Sequence, residues 1–312
     1  MKTQIAVLDD YQQAAFRFAD WSAIRENADL TVFSDHISDP DELVNRLARF
    51  EVLCVMRERT PLPEHLLKRL PRLRLIISTG MRNASIDTRA AAELGIRISY
   101  TGYVESGAPE LTWALLMALL RRIPEESRNF REGGWQTTIG TDLKGKTLGI
   151  VGLGRIGAKM ARFAKAFEMK VIAWSENLTE EKAHRAGAEL VSKERLFKEA
   201  DIVTLHLVLS DRSRHTVGEK ELKLMKPSAF LVNTSRGPLV DETALLAILQ
   251  SGAIAGAALD VFDIEPLPND HPFRSLPNVL ATSHIGYVTE DTYKVFYQDT
   301  VKELQEWLKP HR

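Results

Sequence analysis

Thr147-Leu148-Gly149-Ile150-Val151-Gly152-Leu153-Gly154-Arg155-Ile156-Gly157 reads as an apolar strand running into a G-x-G-x-x-G turn, with an alanine-rich helical pattern from Ala158 to Phe167 behind it. Each glycine has its own reason to be there. Gly152 permits the tight turn, Gly154 lets backbone come close to a pyrophosphate, and Gly157 lets helix and strand pack together. The first amides of the helix, at Arg155 and Ile156, then face the phosphates. A lone G-x-G-x-x-G is weak evidence, but strand, turn, helix and a further strand at Val171 to Trp174 supply the full context of a dinucleotide-binding unit.

About twenty residues beyond such a turn, an acid at the end of the second strand holds the adenosine ribose hydroxyls. Here that end reads Trp174-Ser175-Glu176-Asn177: Ser175 takes the expected place and Glu176 comes one residue late. A phosphorylated ribose needs positive charge nearby, and the nearest basic residue downstream is Lys182. The expected cofactor is therefore NAD, with NADP as the alternative.

Outward from the turn, short apolar runs alternate with helical patterns along the whole chain, the signature of parallel sheets built from strand-helix-strand units. One block has candidate strands at Ile5 to Leu8, Leu30 to Phe33, Val52 to Met56, Leu73 to Ser78 and Ile96 to Tyr100. The other has six, at Thr147 to Val151, Val171 to Trp174, Asp201 to Leu207, Phe230 to Asn233, Ala257 to Val261 and Val279 to Thr282. Between them, Glu110 to Arg122 is apolar enough for a buried helix, stopped by Pro124. A last helix, Thr289 to Leu308, ends near Pro310 and carries Val295, Phe296, Val301, Leu304 and Leu308 on an apolar face. The expected fold class is α/β with two doubly wound parallel-sheet domains and a cleft between them: a Rossmann dinucleotide domain over 102–290 and a smaller, flavodoxin-like substrate domain over 1–101 together with 291–312.

The 312 residues exceed what one core organises, which agrees with two domains. The 41 basic and 42 acidic side chains leave almost no net charge, so nothing favours nucleic acid or an anionic membrane as a partner. The single cysteine, Cys54, excludes an intrachain disulfide and a cysteine-based zinc site, and sits in an apolar run that reads as buried filler. The remaining histidines form no ligand-like cluster, so no metal is expected. With no basic region and apolar h-region ahead of Gln4, and no apolar run of about 18 residues, a cytoplasmic location is the default.

Three later motifs supply reacting groups. Asn233-Thr234-Ser235-Arg236-Gly237 ends an apolar strand with Arg236 at its carboxyl tip, where ligands of open α/β sheets bind; its guanidinium suits a carboxylate and a neighbouring keto oxygen. Asp260-Val261-Phe262-Asp263-Ile264-Glu265-Pro266 puts an acid just beyond the next strand, and Thr282-Ser283-His284-Ile285-Gly286 puts a histidine at the tip after that. Hydride transfer at a carbon bearing oxygen requires a proton to move on that oxygen. His284 is the candidate acid-base and Glu265 its orienting, tuning partner.

From about Leu53 to Tyr293 these motifs together resemble the D-isomer-specific 2-hydroxyacid dehydrogenases, whose pattern joins G-x-G-x-x-G, N-x-x-R-G, D-V-F-x-x-E-P and a late H-x-G. The resemblance implies a hydride transfer between a nicotinamide and a small D-2-hydroxy or 2-keto acid, with Arg236 binding the carboxylate and keto group, His284 as general acid-base and Glu265 tuning it. It further implies that Asp260 and Gly286 lie by the nicotinamide, that Leu207, beside His206, edges the cofactor, that Thr234 and Ser235 line it, and that Trp135 sits near the contact of a homodimer. Ser78 to Asp87 resembles the carboxylate-binding loop, with Gly80, Met81 and Arg82 as substrate-binding residues. Four positions depart from the pattern: Arg82 stands for a Gly, Pro109 for an Ala, Ser283 for a Pro and Ser175 for the ribose-binding Asp. Arg57 and Arg82 suggest a phosphate or second carboxylate, as in a 3-phosphoglycerate dehydrogenase, although no feedback domain is expected after Arg312. The alternative from another class is a corepressor-like dinucleotide sensor on the same fold, which a basic composition or interaction tails would favour.

Overall fold

The computed structural model describes residues 2–309. The chain divides into two compact units, Met1–Val104 with Val288–Arg312, and Glu105–Tyr287. The first is built on five parallel strands in the order β2-β1-β3-β4-β5, namely Thr3–Val7 (β1), Ala28–Val32 (β2), Val52–Val55 (β3), Leu75–Ser78 (β4) and Arg97–Tyr100 (β5). That is the flavodoxin-like order, with its switch point between β1 and β3. β3 and β4 are buried at every residue, as strands covered on both faces must be. Leu53, Ile76, Leu47, Phe50, Leu62 and Leu67 form their core.

The helix Glu290–Trp307 completes this first unit. Thr289 caps it, accepting from the Thr292 amide at 3.3 Å, and its inner face carries Phe296 and Tyr297, both essentially unexposed. The Tyr297 hydroxyl donates to buried Asp10 at 2.8 Å, and Asp299 accepts from the Gly102 amide at 2.8 Å. Pro310, expected to end this helix, lies outside the described residues.

In the second unit seven parallel strands run β12-β11-β10-β9-β6-β7-β8: Thr147–Val151 (β6), Lys170–Trp174 (β7), Glu189–Leu190 (β8), Ile202–Leu205 (β9), Phe230–Asn233 (β10), Gly256–Leu259 (β11) and Val279–Ala281 (β12). Counted from β6 this is the Rossmann order with a strand added at the far edge, and its switch point lies between β6 and β9. Six strands were expected. The seventh, β8, has two residues, too few to show an apolar run or an alternation. The helix Gly107–Leu120 begins earlier than its apolar pattern, with Pro109 in the first turn. Pro124 stops nothing: it opens a second helix, Ile123–Arg131, where a missing amide hydrogen costs no intrahelical bond. Arg122, in a left-handed conformation at φ +51°, separates the two. No helix of the described residues is long and apolar enough to cross a membrane.

Candidate active site

The glycine turn leaves β6 at the switch point. Gly152 has φ +99°, and a Cβ there would stand 2.7 Å from the His206 carbonyl carbon and oxygen, so the segment after β9 packs directly on the turn. A Cβ on Gly157 would meet the Gly152 oxygen at 2.3 Å, whereas Gly154 faces open space. Gly154 is the N-cap of the 12-residue helix Arg155–Ala166, which no side chain caps. Open backbone in front of an uncapped helix terminus is what a pyrophosphate requires, and the residues present fit a dinucleotide. The Arg155 side chain points away from any such role, forming an exposed ion pair with Glu105.

At the adenosine end, Ser175 is half-buried and Glu176 exposed. The basic group beside this strand end is Lys193, whose Nζ lies 5.4 Å from the Trp174 ring centroid and 3.0 Å from Glu221 Oε1. Lys182, the residue singled out by sequence proximity, lies on the helix Glu180–Ala186 and is exposed. Leu207 is half-buried just past the Gly152 contact. His206 Nε2 is 2.9 Å from Thr204 Oγ1, its Nδ1 is buried without a partner, and burial pushes the imidazole down to a pKa of about 3. It is a neutral wall of the turn.

The tips of β10, β11 and β12 are tied together by side chains and by close backbone contact. Buried Asn233 closes the first, donating to the Arg236 carbonyl at 2.9 Å and accepting from the Ser235 amide at 3.1 Å. Ser235 Oγ donates to the Leu205 carbonyl at 2.8 Å, and Thr234 Oγ1 lies 2.6 Å from Thr112 Oγ1. A Cβ on Gly237 would stand 2.1 Å from the Phe262 carbonyl carbon, so the arginine segment lies flat against the segment that leads to Glu265. Arg236 NH1 folds back on the Ser235 carbonyl at 2.7 Å.

Glu265 is held from below by the Phe262 amide, 2.9 Å from Oε1, and its Oε2 is 2.6 Å from His284 Nδ1. His284 itself has φ +54°, an uncommon conformation for a non-glycine residue. Asp260 holds it there. This wholly buried carboxylate accepts from Thr282 Oγ1 at 2.6 Å and the Ile285 amide at 2.8 Å through Oδ1, and from the Gly286 amide at 2.9 Å through Oδ2. It thus brackets the histidine on both sides, a role that no sequence spacing revealed. Burial raises the Asp260 pKa, opposed by those donors.

A family model of the D-isomer specific 2-hydroxyacid dehydrogenase NAD-binding domain matches residues 113–286. The chain is also 43% identical over 237 residues to the glyoxylate reductase of Aeropyrum pernix, covering 73% of this chain and 71% of that one. The chain belongs to the D-isomer-specific 2-hydroxyacid dehydrogenases. Among solved structures, this dehydrogenase superposes on the phosphoglycerate oxidoreductase of Vibrio cholerae with a TM-score of 0.92 and 37% identity, over 98% of each chain. It superposes on the D-lactate dehydrogenase of Aquifex aeolicus, solved with NAD and lactic acid, with a TM-score of 0.78 and 26% identity, over 98% of this chain and 95% of that one.

In the first unit, the loop after β4 carries the other expected residues of the dehydrogenase. The Gly80 amide donates to Thr101 Oγ1 at 2.8 Å, while Met81 and Arg82 are exposed. Asn83 binds back to the Arg57 carbonyl at 2.6 Å and fixes the loop's far side. Cys54 is buried, and burial pushes its thiol pKa up. Among the described residues no group of three or more His, Cys, Asp and Glu is placed to hold a metal ion.

Proposed function

We propose that this dehydrogenase interconverts a small D-2-hydroxy acid and its 2-keto acid with NAD, using Arg236, His284 and Glu265. The observation that carries the proposal is the His284–Glu265 contact of 2.6 Å on a loop bracketed by Asp260. Bound nicotinamide supplies the hydride donor or acceptor. Arg236 binds the substrate carboxylate and polarises the keto oxygen. Glu265 accepts the Nδ1 proton of His284, which fixes the tautomer and leaves Nε2 to hand a proton to the keto oxygen in reduction and take it back in oxidation. In the first unit, the loop at Met81 and Arg82 is assigned to substrate binding on its resemblance to the carboxylate-binding loop.

The test follows NADH absorbance with glyoxylate, pyruvate, hydroxypyruvate and phenylpyruvate. His284→Ala is expected to abolish turnover with every acid while NADH still binds, measured by fluorescence titration; turnover in the variant near that of the parent would remove His284 from its role. No turnover by the parent would favour the dinucleotide sensor.

NAD over NADP is supported by Glu176 just past the end of β7 and by the pairing of Lys193 with Glu221, which engages the basic group beside Trp174. NADH is expected to bind at least about tenfold more tightly than NADPH, and Glu176→Gln to narrow that gap. Tighter NADPH binding would reverse the assignment. A homodimer through the second unit is supported by exposed Ile123, Phe130, Trp135 and Ile139 beside a groove of about 770 Å³. Trp135→Glu is expected to shift the particle toward monomer in analytical ultracentrifugation.

A further inference from the structure

Two consecutive amides beyond β11 are each taken by a carboxylate. The Phe262 amide donates to Glu265 Oε1 at 2.9 Å, and the Asp263 amide donates to Glu242 Oε2 at 3.3 Å. The peptide that joins them lies against Gly237, where a Cβ would fall 2.1 Å from the Phe262 carbonyl carbon and 2.5 Å from the Asp263 nitrogen. Packing on Gly237 fixes how close this peptide comes to the arginine segment. The two carboxylates fix how it is turned, because a hydrogen bond is directional and a van der Waals contact is not.

Glu242 opens the helix Glu242–Gln250, but Asp241 caps that helix, accepting from the Ala244 amide at 3.0 Å. The Glu242 side chain turns instead toward 262–265. Its Oε1 lies 3.2 Å from His271 Nε2, and the Glu242 and His271 side chains are 25% and 17% exposed. His271 Nδ1 accepts from the Phe273 amide at 3.3 Å, so the hydrogen of the neutral ring sits on Nε2 and is donated to Glu242. The same ring packs on buried Phe273 at a centroid distance of 4.9 Å, and the Phe273 ring lies 6.4 Å from that of Phe262. Asp263 feels the Glu242 charge: partial burial and then that charge raise its carboxyl, opposed by His215 and Arg214.

One turn thus carries two imidazole–carboxylate pairs, His284 with Glu265 and His271 with Glu242, joined through the backbone of 262–265. We propose that Glu242 is a positioning residue for Glu265, itself oriented by His271, and that it thereby sets how firmly Glu265 holds His284. The inference rests on the roles given to Glu265 and His284 in the proposed function.

Its test is a double-mutant cycle on Glu242→Gln and Glu265→Gln, with NADH-linked reduction of glyoxylate and hydroxypyruvate followed as a function of pH. Glu242 offers an acceptor to both the Asp263 amide and His271 Nε2, whereas a glutamine offers one acceptor and one donor, so one of the two contacts is lost. Glu242→Gln is expected to lower kcat about tenfold with KM little changed. It should also move the high-pH limb of reduction, where His284 must still carry its proton, to lower pH by about half a unit, because a carboxylate less firmly placed favours imidazolium less. A merely structural role would not move that limb. In a Glu265→Gln background the same substitution should do neither. His271→Phe should act in the same direction as Glu242→Gln, and His271→Gln, which again offers Glu242 a donor, should recover part of the loss; this pair decides the matter if Glu242→Gln does not fold. Parental kcat and an unmoved limb in folded Glu242→Gln or His271→Phe overturn the positioning role, as does an effect of Glu242→Gln undiminished by loss of Glu265. Glu265→Gln as active as the parent, or a parent that reduces no 2-keto acid, overturns the proposed function and this inference with it.

Discussion

Half-buried His206, whose Nδ1 is shut off from solvent, and wholly buried Asp260 are polar residues at strand ends, and they respond to protons in opposite senses. Burial lowers the His206 pKa to about 3, so the folded chain stays neutral there where an unfolded chain, titrating near 6.5, has taken a proton. Stability from this group is complete above about pH 6.5 and is lost as the pH falls toward 3, by about 2 kcal/mol between pH 7 and 5. Urea unfolding at those two pH values should show His206→Gln losing less than the parent by that amount; equal losses would mean that other groups set the acid limb. Asp260, raised by burial, favours the fold on the acid side of its own titration. In Asp260→Asn an amide nitrogen must face one of the donors from Thr282, Ile285 or Gly286, and the bracket around His284 opens. The expected result is a fall in kcat of about a hundredfold with a smaller change in NADH affinity.

At the scale of the element, what the sequence disclosed was local. The turn at Gly152 to Gly157 was readable because strand, glycines and helix are consecutive, and Arg236, Glu265 and His284 because each sits just past an apolar run. What stayed hidden is made by contacts between distant segments. Examples are the clasp of Asp260 on the 282–286 loop, the placement of Lys193 beside Trp174, and the Gly80 amide held by Thr101. β9 ends at Leu205, two residues before its apolar pattern stops, where the next backbone packs on Gly152. Gly237 shows the same lesson, since its need for hydrogen comes from Phe262 and not from its own turn. Gly237→Ala must force the β10 and β11 tips apart, and is expected to cost about 3 kcal/mol in a thermal or urea melt and to lower kcat even where the protein stays folded. A variant as stable and active as the parent would refute the close approach.

For the whole molecule, two units of different continuity share one chain. Residues 105–287 form an uninterrupted stretch with a complete seven-stranded sheet, whereas the first unit draws on both ends of the sequence. A fragment of residues 105–287 is accordingly expected to unfold cooperatively and to bind NADH. A fragment of residues 2–104 lacks Phe296 and Tyr297, along with the hydroxyl that Asp10 uses in its buried site, and is expected to expose apolar surface, read by dye binding. The C-terminal helix also has a bearing on how the protein is made. Chains fold as they emerge from the ribosome, whole units first. The five-stranded sheet is made before residues 105–287 yet lacks the helix Glu290–Trp307 until after them, while the sheet encoded between can already close. Of the two units, the one begun earlier is the one completed later, and it is the one a nascent-chain chaperone would have to guard for longer.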